Sequence, residues 1–264
     1  MSMKNFALGA LAAGVMALSS VSSHAAKIQL GFVLDESGSI STTEWNTIRN
    51  GLASAIGLIP VSGPDEYYLS VVTFDDNSNT RITNTLVTSS NIASLQAQIA
   101  GFSQGAGFTN YEAGFAAMQT ALGNTSTYDF SYVNFATDGE PNRCGAVTPV
   151  VADQATARAC ATTARNNLVN AGVDNISIEG IGVTAANASF LQSSICYPTP
   201  CDTASPYDFP THGFYIAVAN ATEYAAAIRN KILVVTNQTP EPTSLALVGL
   251  ALAGIGAASR RRKA

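Results

Sequence analysis

From Lys27 onward the apolar residues switch repeatedly between a period of two and a period of three to four, and helix-capping or helix-stopping residues mark the switches. Such a chain alternates strands with helices, which leads to a mostly parallel sheet covered on both faces. The first strand is predicted over residues 28–34. Ser41-Thr42-Thr43-Glu44 reads as a capping box, the serine oxygen taking an orphan N–H while the glutamate reaches back. Trp45, Ile48, Leu52 and Ile56 then line one face of a helix that Pro60 stops. Strands are predicted over 67–74, over 81–87 (short, polar, an antiparallel edge), 128–137, 175–182 and 214–219. Helices are predicted over 91–100, across 155–170, near 188–193 and over 222–233. One more follows Thr109-Asn110-Tyr111-Glu112, a second capping box, and buries Phe115, Met118 and Leu122. No internal repeat is present.

Both ends of the chain read as addresses. Lys4, an apolar stretch over 6–18 and the small residues before Ala25 fit a secretory signal peptide. Its apolar part is too short and too rich in Ala and Gly for a membrane helix. At the other end, Pro240-Glu241-Pro242 precedes an almost wholly apolar stretch over 243–259, then Arg260-Arg261-Arg262-Lys263. That stretch is at the short limit for crossing ~30 Å of hydrocarbon, and the basic cluster would stay cytoplasmic. In order and composition these parts closely resemble the PEP-CTERM sorting signal of Gram-negative bacteria. The resemblance implies recognition by an exosortase, transient inner-membrane association through the apolar helix, removal of the tail, and delivery to the cell surface or an extracellular polysaccharide matrix. The expected organisation is a signal peptide at 1–25, one domain at 27–235, a linker with the motif at 236–244, and the sorting helix and tail at 245–264.

Such a domain is long enough to bury a substantial core unaided. Of 13 basic residues, Lys4 and the four of the tail fall outside it, leaving 8 against 17 acids once Glu241 is set aside, a net charge near −9. That balance argues against nucleic acid and anionic lipid as partners. Four cysteines in an oxidising compartment predict two disulfides, and four allow three pairings. The preferred pairing is Cys196 with Cys201, stapling the turn CYPTPC, and Cys144 with Cys160. No CxxC spacing supports zinc.

In a doubly wound sheet, ligands bind outside the carboxyl ends of the strands, where strand order reverses. Asp35 ends one apolar strand and Asp138 follows another, so parallel packing brings both carboxylates to one edge. In LDESGSI, alternation along an extended loop turns Ser37 and Ser39 to the side of Asp35. Two carboxylates and two hydroxyls without sulfur or imidazole form a hard oxygen site suited to Mg²⁺ or Mn²⁺, and less well to Ca²⁺. Asp35-x-Ser37-x-Ser39, Thr109 within GAGFTN and Asp138 within FATDG resemble the metal-ion-dependent adhesion site (MIDAS) of the von Willebrand factor type A (vWA) domain. The resemblance covers nearly all of the domain. It implies an α/β fold with a doubly wound, mostly parallel six-stranded sheet in the order 3-2-1-4-5-6 and helices on both faces. In the family the serines and threonine ligate the metal directly or through water, the aspartates ligate it or hold its waters, and a partner's carboxylate completes the octahedron.

Other readings exist for each piece. Ser37, Ser39 and Thr109 are residue types that favour turns and caps, and Thr109 begins a capping box. Gly101-Phe102-Ser103-Gln104-Gly105 matches G-x-S-x-G, and Ser103, Asp138 and His212 follow the chain order of an α/β-hydrolase triad. However, the nucleophile elbow needs a strand before the serine and a helix directly after it, and here a helical pattern precedes and glycines follow. Glu36 and Glu140 read as solvated loop charges, and Phe108 and Tyr111 as aromatics packing inward at a helix start. A disulfide at Cys144 would stiffen the rim near Asp138, or serve stability alone. The functional expectation is a non-enzymatic surface or matrix module binding a carboxylate on a protein or polysaccharide through a cation. The alternative is a structural matrix protein whose metal site only stabilises the fold or is vestigial.

Overall fold

The structure, a computed structural model, describes residues 25–145 and 153–237. The signal-peptide and sorting-tail readings therefore fall outside the described residues. Strands β1 (Lys27–Asp35), β2 (Glu66–Phe74), β3 (Ser78–Leu86), β4 (Phe130–Thr137), β5 (Asn175–Ile181) and β6 (Tyr215–Val218) form one sheet in the order β3-β2-β1-β4-β5-β6. All neighbours are parallel except β2 and β3, so the polar β3 is the antiparallel edge that the sequence predicts.

Helices α1 (Thr42–Ile56), α2 (Ile92–Ala100), α3 (Tyr111–Leu122), α4 (Gln154–Asn170), α5 (Ala185–Phe190) and α6 (Ala221–Asn237) cover the two faces. Strand alternation divides the core. In β1, Leu30, Phe32 and Leu34 pack with Trp45, Ile48 and Leu52 of α1 and with Tyr224, Ile228 and Ile232 of α6. Val33 points the other way, to Phe115 and Met118 of α3 and Ala161 and Leu168 of α4. Each face is therefore a period-two strand set against a period-3.6 helix stripe, and burial of both stripes is what stabilises the layers.

The α1 capping box forms as the sequence predicts: Ser41 Oγ accepts from Glu44 N at 3.3 Å, and Glu44 accepts from Ser41 N at 3.0 Å. The predicted box at Thr109 does not. Asn110 is the N-cap of α3, its side chain accepting from Ala113 N at 3.2 Å. Three elements also differ at a boundary by three residues or more. The third strand starts at Ser78 rather than Arg81, because pairing with β2 extends the ladder through the polar residues beside the turn. The short helix starts at Ala185, where Thr184 caps it, and runs into a π-helical turn at Leu191–Ile195. Finally, α6 continues through Asn237, and Thr236, expected in the linker, is buried with its hydroxyl on Ile232 O.

Candidate functional site

Ladder register brings the candidate site together. Asp35 is the last residue of β1, and the β1–β4 pairing aligns Leu34 with Ala136, so Asp138 emerges beside it just past β4. The loop after β1 turns back against the loop preceding α3. Gly38 N donates to Gly107 O at 2.9 Å, and a Cβ at Gly38 would lie 2.9 Å from Ala106 O, so only glycine permits this approach. The closure delivers Thr109 to the serines: its hydroxyl donates to Ser37 Oγ at 3.2 Å, and Ser37 Oγ lies 3.1 Å from Ser39 Oγ. Ser39 in turn donates to Asp138 Oδ1 at 2.8 Å. All five residues singled out in the sequence thus belong to one cluster, with Asp35 joined to it through Ser37 N, which donates to Asp35 Oδ1 at 2.9 Å.

Residues beyond these five hold the cluster, and of them the sequence singles out only Tyr111. Thr137 donates to Asp35 Oδ2 at 2.7 Å, fixing the carboxylate plane. Thr109 is clamped from both sides by Asn142, whose side chain accepts from Thr109 N at 2.8 Å and whose own N–H donates to Thr109 O at 3.0 Å. Tyr111 and Asn187 both donate to Gly139 O, at 2.5 and 2.6 Å, and so pin the loop that carries Asp138. Beneath lies an aromatic floor in which Phe74 stacks on Phe135 at 5.6 Å and Tyr111 meets Phe135 edge-on at 4.6 Å. Tyr111 packs inward as expected. Phe108 does not: it is 47% exposed on the rim, because its backbone N–H is held by Asp76 Oδ1 at 3.1 Å while its ring projects to solvent.

The solvated-loop reading of the flanking glutamates is also corrected. Glu36 is wholly buried, alternation having turned it away from Asp35, and Arg81 of β3 pairs with it at 3.0 Å. Thr73 and Asn79 complete its shell at 2.8 and 3.0 Å. Glu140 is half-buried and bonded twice by Arg158 of α4, at 2.6 and 3.1 Å. Both partners lie far along the chain, so no local pattern signals them.

Electrostatics separate the two aspartates from these paired glutamates. Burial, followed by the nearby Asp138 charge, pushes the Asp35 carboxyl up to about 7 despite hydrogen bonds from Ser37 and Thr137. Burial also raises Asp138, against the opposing bond from Ser39. Among the described residues no basic side chain bridges either carboxylate. Two acids crowded together with three hydroxyls and no counter-charge form a donor set that a hard divalent cation fits.

Both disulfides are present, Cys144–Cys160 and Cys196–Cys201, with Cα separations of 5.8 and 5.9 Å. Glu112 lies beside the first, but those sulfurs are bonded to each other and so are not free to ligate a metal. The loop of Cys144 is tied to α3, since Gly145 N donates to Glu112 at 2.7 Å. The hydrolase geometry is missing. Ser103 follows helix α2 and opens a loop, and His212 precedes β6, at the opposite end of the sheet from Asp138, where it bonds Asp202 at 3.2 Å.

Residues 29–210 match the family model of the von Willebrand factor type A domain. The chain belongs to this family. The vWA match spans β1 to the loop before β6 and contains all five clustered residues. Residues 238–263 match the PEP-CTERM protein-sorting motif, which indicates export to a surface or extracellular destination. Among the described residues no helix is long and apolar enough to cross a membrane. No curated protein matches the chain.

Solved structures with the same fold include proximal thread matrix protein 1 from the mussel byssus (TM-score 0.55, 16% identity), matching over 79% of this chain and 46% of that one. The PilB minor pilin from Streptococcus sanguinis matches at TM-score 0.59 and 15% identity, over 80% of this chain and 62% of the pilin. The pilus adhesin SpaC from Lactobacillus rhamnosus GG, in its open conformation, matches at TM-score 0.57 and 12% identity, over 80% and 30%. The vWA chain thus spans less than two thirds of each of these proteins, and at such identities the likeness concerns the fold alone.

Proposed function

We propose that this vWA domain is an exported, non-enzymatic binding module that recognises an acidic group on a protein or polysaccharide through a divalent cation. Asp35, Ser37, Ser39, Thr109 and Asp138 would hold that cation, Mg²⁺ by preference, with Mn²⁺ or Ca²⁺ as substitutes. The observation that carries the reading is the uncompensated pair of carboxylates, Asp35 buried and Asp138 half-buried, beside three hydroxyls at the sheet's carboxyl edge. When bound, the cation supplies a positive centre with a coordination place for a carboxylate from outside. The protein's own residues do the rest: Thr137 and Asn142 orient the ligands, and the aromatic floor excludes water from beneath.

The neighbours accord with this reading, since they include an adhesin, a minor pilin and a byssal matrix protein, the last also solved with a zinc-occupied MIDAS motif. The byssal protein also favours a second reading, in which the domain is a matrix constituent whose cation only stabilises the fold. Asp35→Ala separates the two. In the first case it abolishes EDTA-sensitive retention on the native extracellular matrix, measured with purified protein in Mg²⁺. Retention that survives both EDTA and the substitution would leave only the second reading.

A further inference from the structure

Between the sheet and α6 lies a buried polar cluster that the candidate site does not use. Asn134 of β4 and Glu179 of β5 point toward the helix, and Lys231 of α6 reaches in to meet them. One carboxylate bridges the other two groups: Asn134 Nδ2 donates to Glu179 Oε2, and Lys231 Nζ stands 3.7 Å from Glu179 Oε1. Phe214 closes the cluster, its ring centroid 4.8 Å from Lys231 Nζ. Hydrogen bonding is incomplete. Among the described residues, Lys231 Nζ, Glu179 Oε1 and Asn134 Oδ1 have no hydrogen-bond partner.

An ammonium carries three donors, and a buried ion pair with unmade hydrogen bonds recovers little of its desolvation cost. A neutral amine beside a neutral carboxylic acid loses far less. Burial acts in that direction on both groups, pushing Lys231 down to about 8 and Glu179 up. A neutral lysine is a nucleophile. Here its neighbours are a side-chain amide and an acid able to shuttle a proton.

We propose that Lys231 and Asn134 become joined by an intramolecular amide bond, with Glu179 as the proton-transfer group. The Nζ lone pair attacks Asn134 Cγ and forms the Nζ–Cγ bond. Glu179, protonated at the outset, gives its proton to Nδ2 and takes up the one that Nζ sheds, so it ends as it began. The Cγ–Nδ2 bond then breaks and Nδ2 leaves as ammonia. No oxidant, reductant or further reactant enters, and the product is lighter by one ammonia. The two oxygens of Glu179 already face the attacking and the leaving nitrogen, as this exchange needs.

The test is peptide mapping by tandem mass spectrometry on the exported, reduced protein. The expected result is a single branched species joining the tryptic peptides that contain Asn134 and Lys231, about 17 Da lighter than their sum and uncut after Lys231. Recovery of the two peptides separately and unmodified overturns the proposal, and this needs no variant to fold. Glu179→Gln, which keeps shape and removes the titrating oxygen, should yield the separate peptides. A link that forms equally well in that variant overturns the role given to Glu179.

Discussion

Asp35 shows how the cost of one buried charge can report on a ligand. Its carboxyl ordinarily ionises near 4, yet in the folded metal-free domain it holds its proton up to about 7. Between those values the folded state binds a proton that the unfolded state has lost. Its contribution to stability is therefore lost as pH rises from 4 to 7, by an amount on the order of 4 kcal/mol. Asp138, also raised, acts in the same direction. In EDTA, wild type should thus lose stability across this window relative to Asp35→Asn, which has nothing to ionise, and the variant should be the more stable of the two at pH 8. With Mg²⁺ the gap at pH 8 should narrow, because the ionised pair is the form that binds. Urea titrations at pH 5 and 8 measure both. A wild-type minus variant difference that is the same at the two pH values in EDTA would count against the burial described for Asp35.

At the scale of elements, the loop bearing Asp35 depends on the edge strand. Arg81 of β3 is the only basic partner of the buried Glu36 among the described residues, and its guanidinium also reaches Ser103 O at 3.0 Å and lies over Phe102 at 5.4 Å. Arg81→Met keeps much of the volume and leaves Glu36 buried without a counter-charge, so unfolding free energy should fall by about 3 kcal/mol. A loss below about 1 kcal/mol in chemical denaturation would mean that Thr73 and Asn79 suffice for Glu36. This dependence also marks the limit of what could be read from the chain. Element order, the antiparallel edge and the grouping of Asp35, Ser37, Ser39 and Asp138 were legible because period, caps and strand-end carboxylates are local properties, whereas Thr109 joined them only through the resemblance to the vWA adhesion site. The burial of Glu36, the Asn142 clamp on Thr109 and the meeting of Lys231 with Glu179 were not, since each joins residues from separate elements. The mistaken cap at Thr109 has a different cause. Thr109 and Asn110 are both good capping residues, and the choice fell to Asn110 because Asn142 takes up the Thr109 backbone groups.

For the molecule as a whole, cation binding should appear as stability. At 1 mM Mg²⁺ and a dissociation constant near 0.1 mM, mass action adds about 1.4 kcal/mol, a shift of a few degrees in Tm for a domain of this size. Calorimetry with Mg²⁺, Mn²⁺ and Ca²⁺ against EDTA measures it, and a flat response to all three ions would remove the basis of the proposed function. The path of the chain bears on how such a domain carries load. Asp35 lies at the carboxyl end of the central β1, whereas α6 ends beside the start of β2, where the Tyr67 hydroxyl donates to Thr236 O at 3.4 Å. The oxygen cluster and the exit toward the sorting segment therefore occupy opposite poles. A pull between a captured partner and a tether beyond Asn237 would enter through the far end of α6, so that its apolar stripe of Tyr224, Ile228 and Ile232 against the sheet and α1 is loaded along its length.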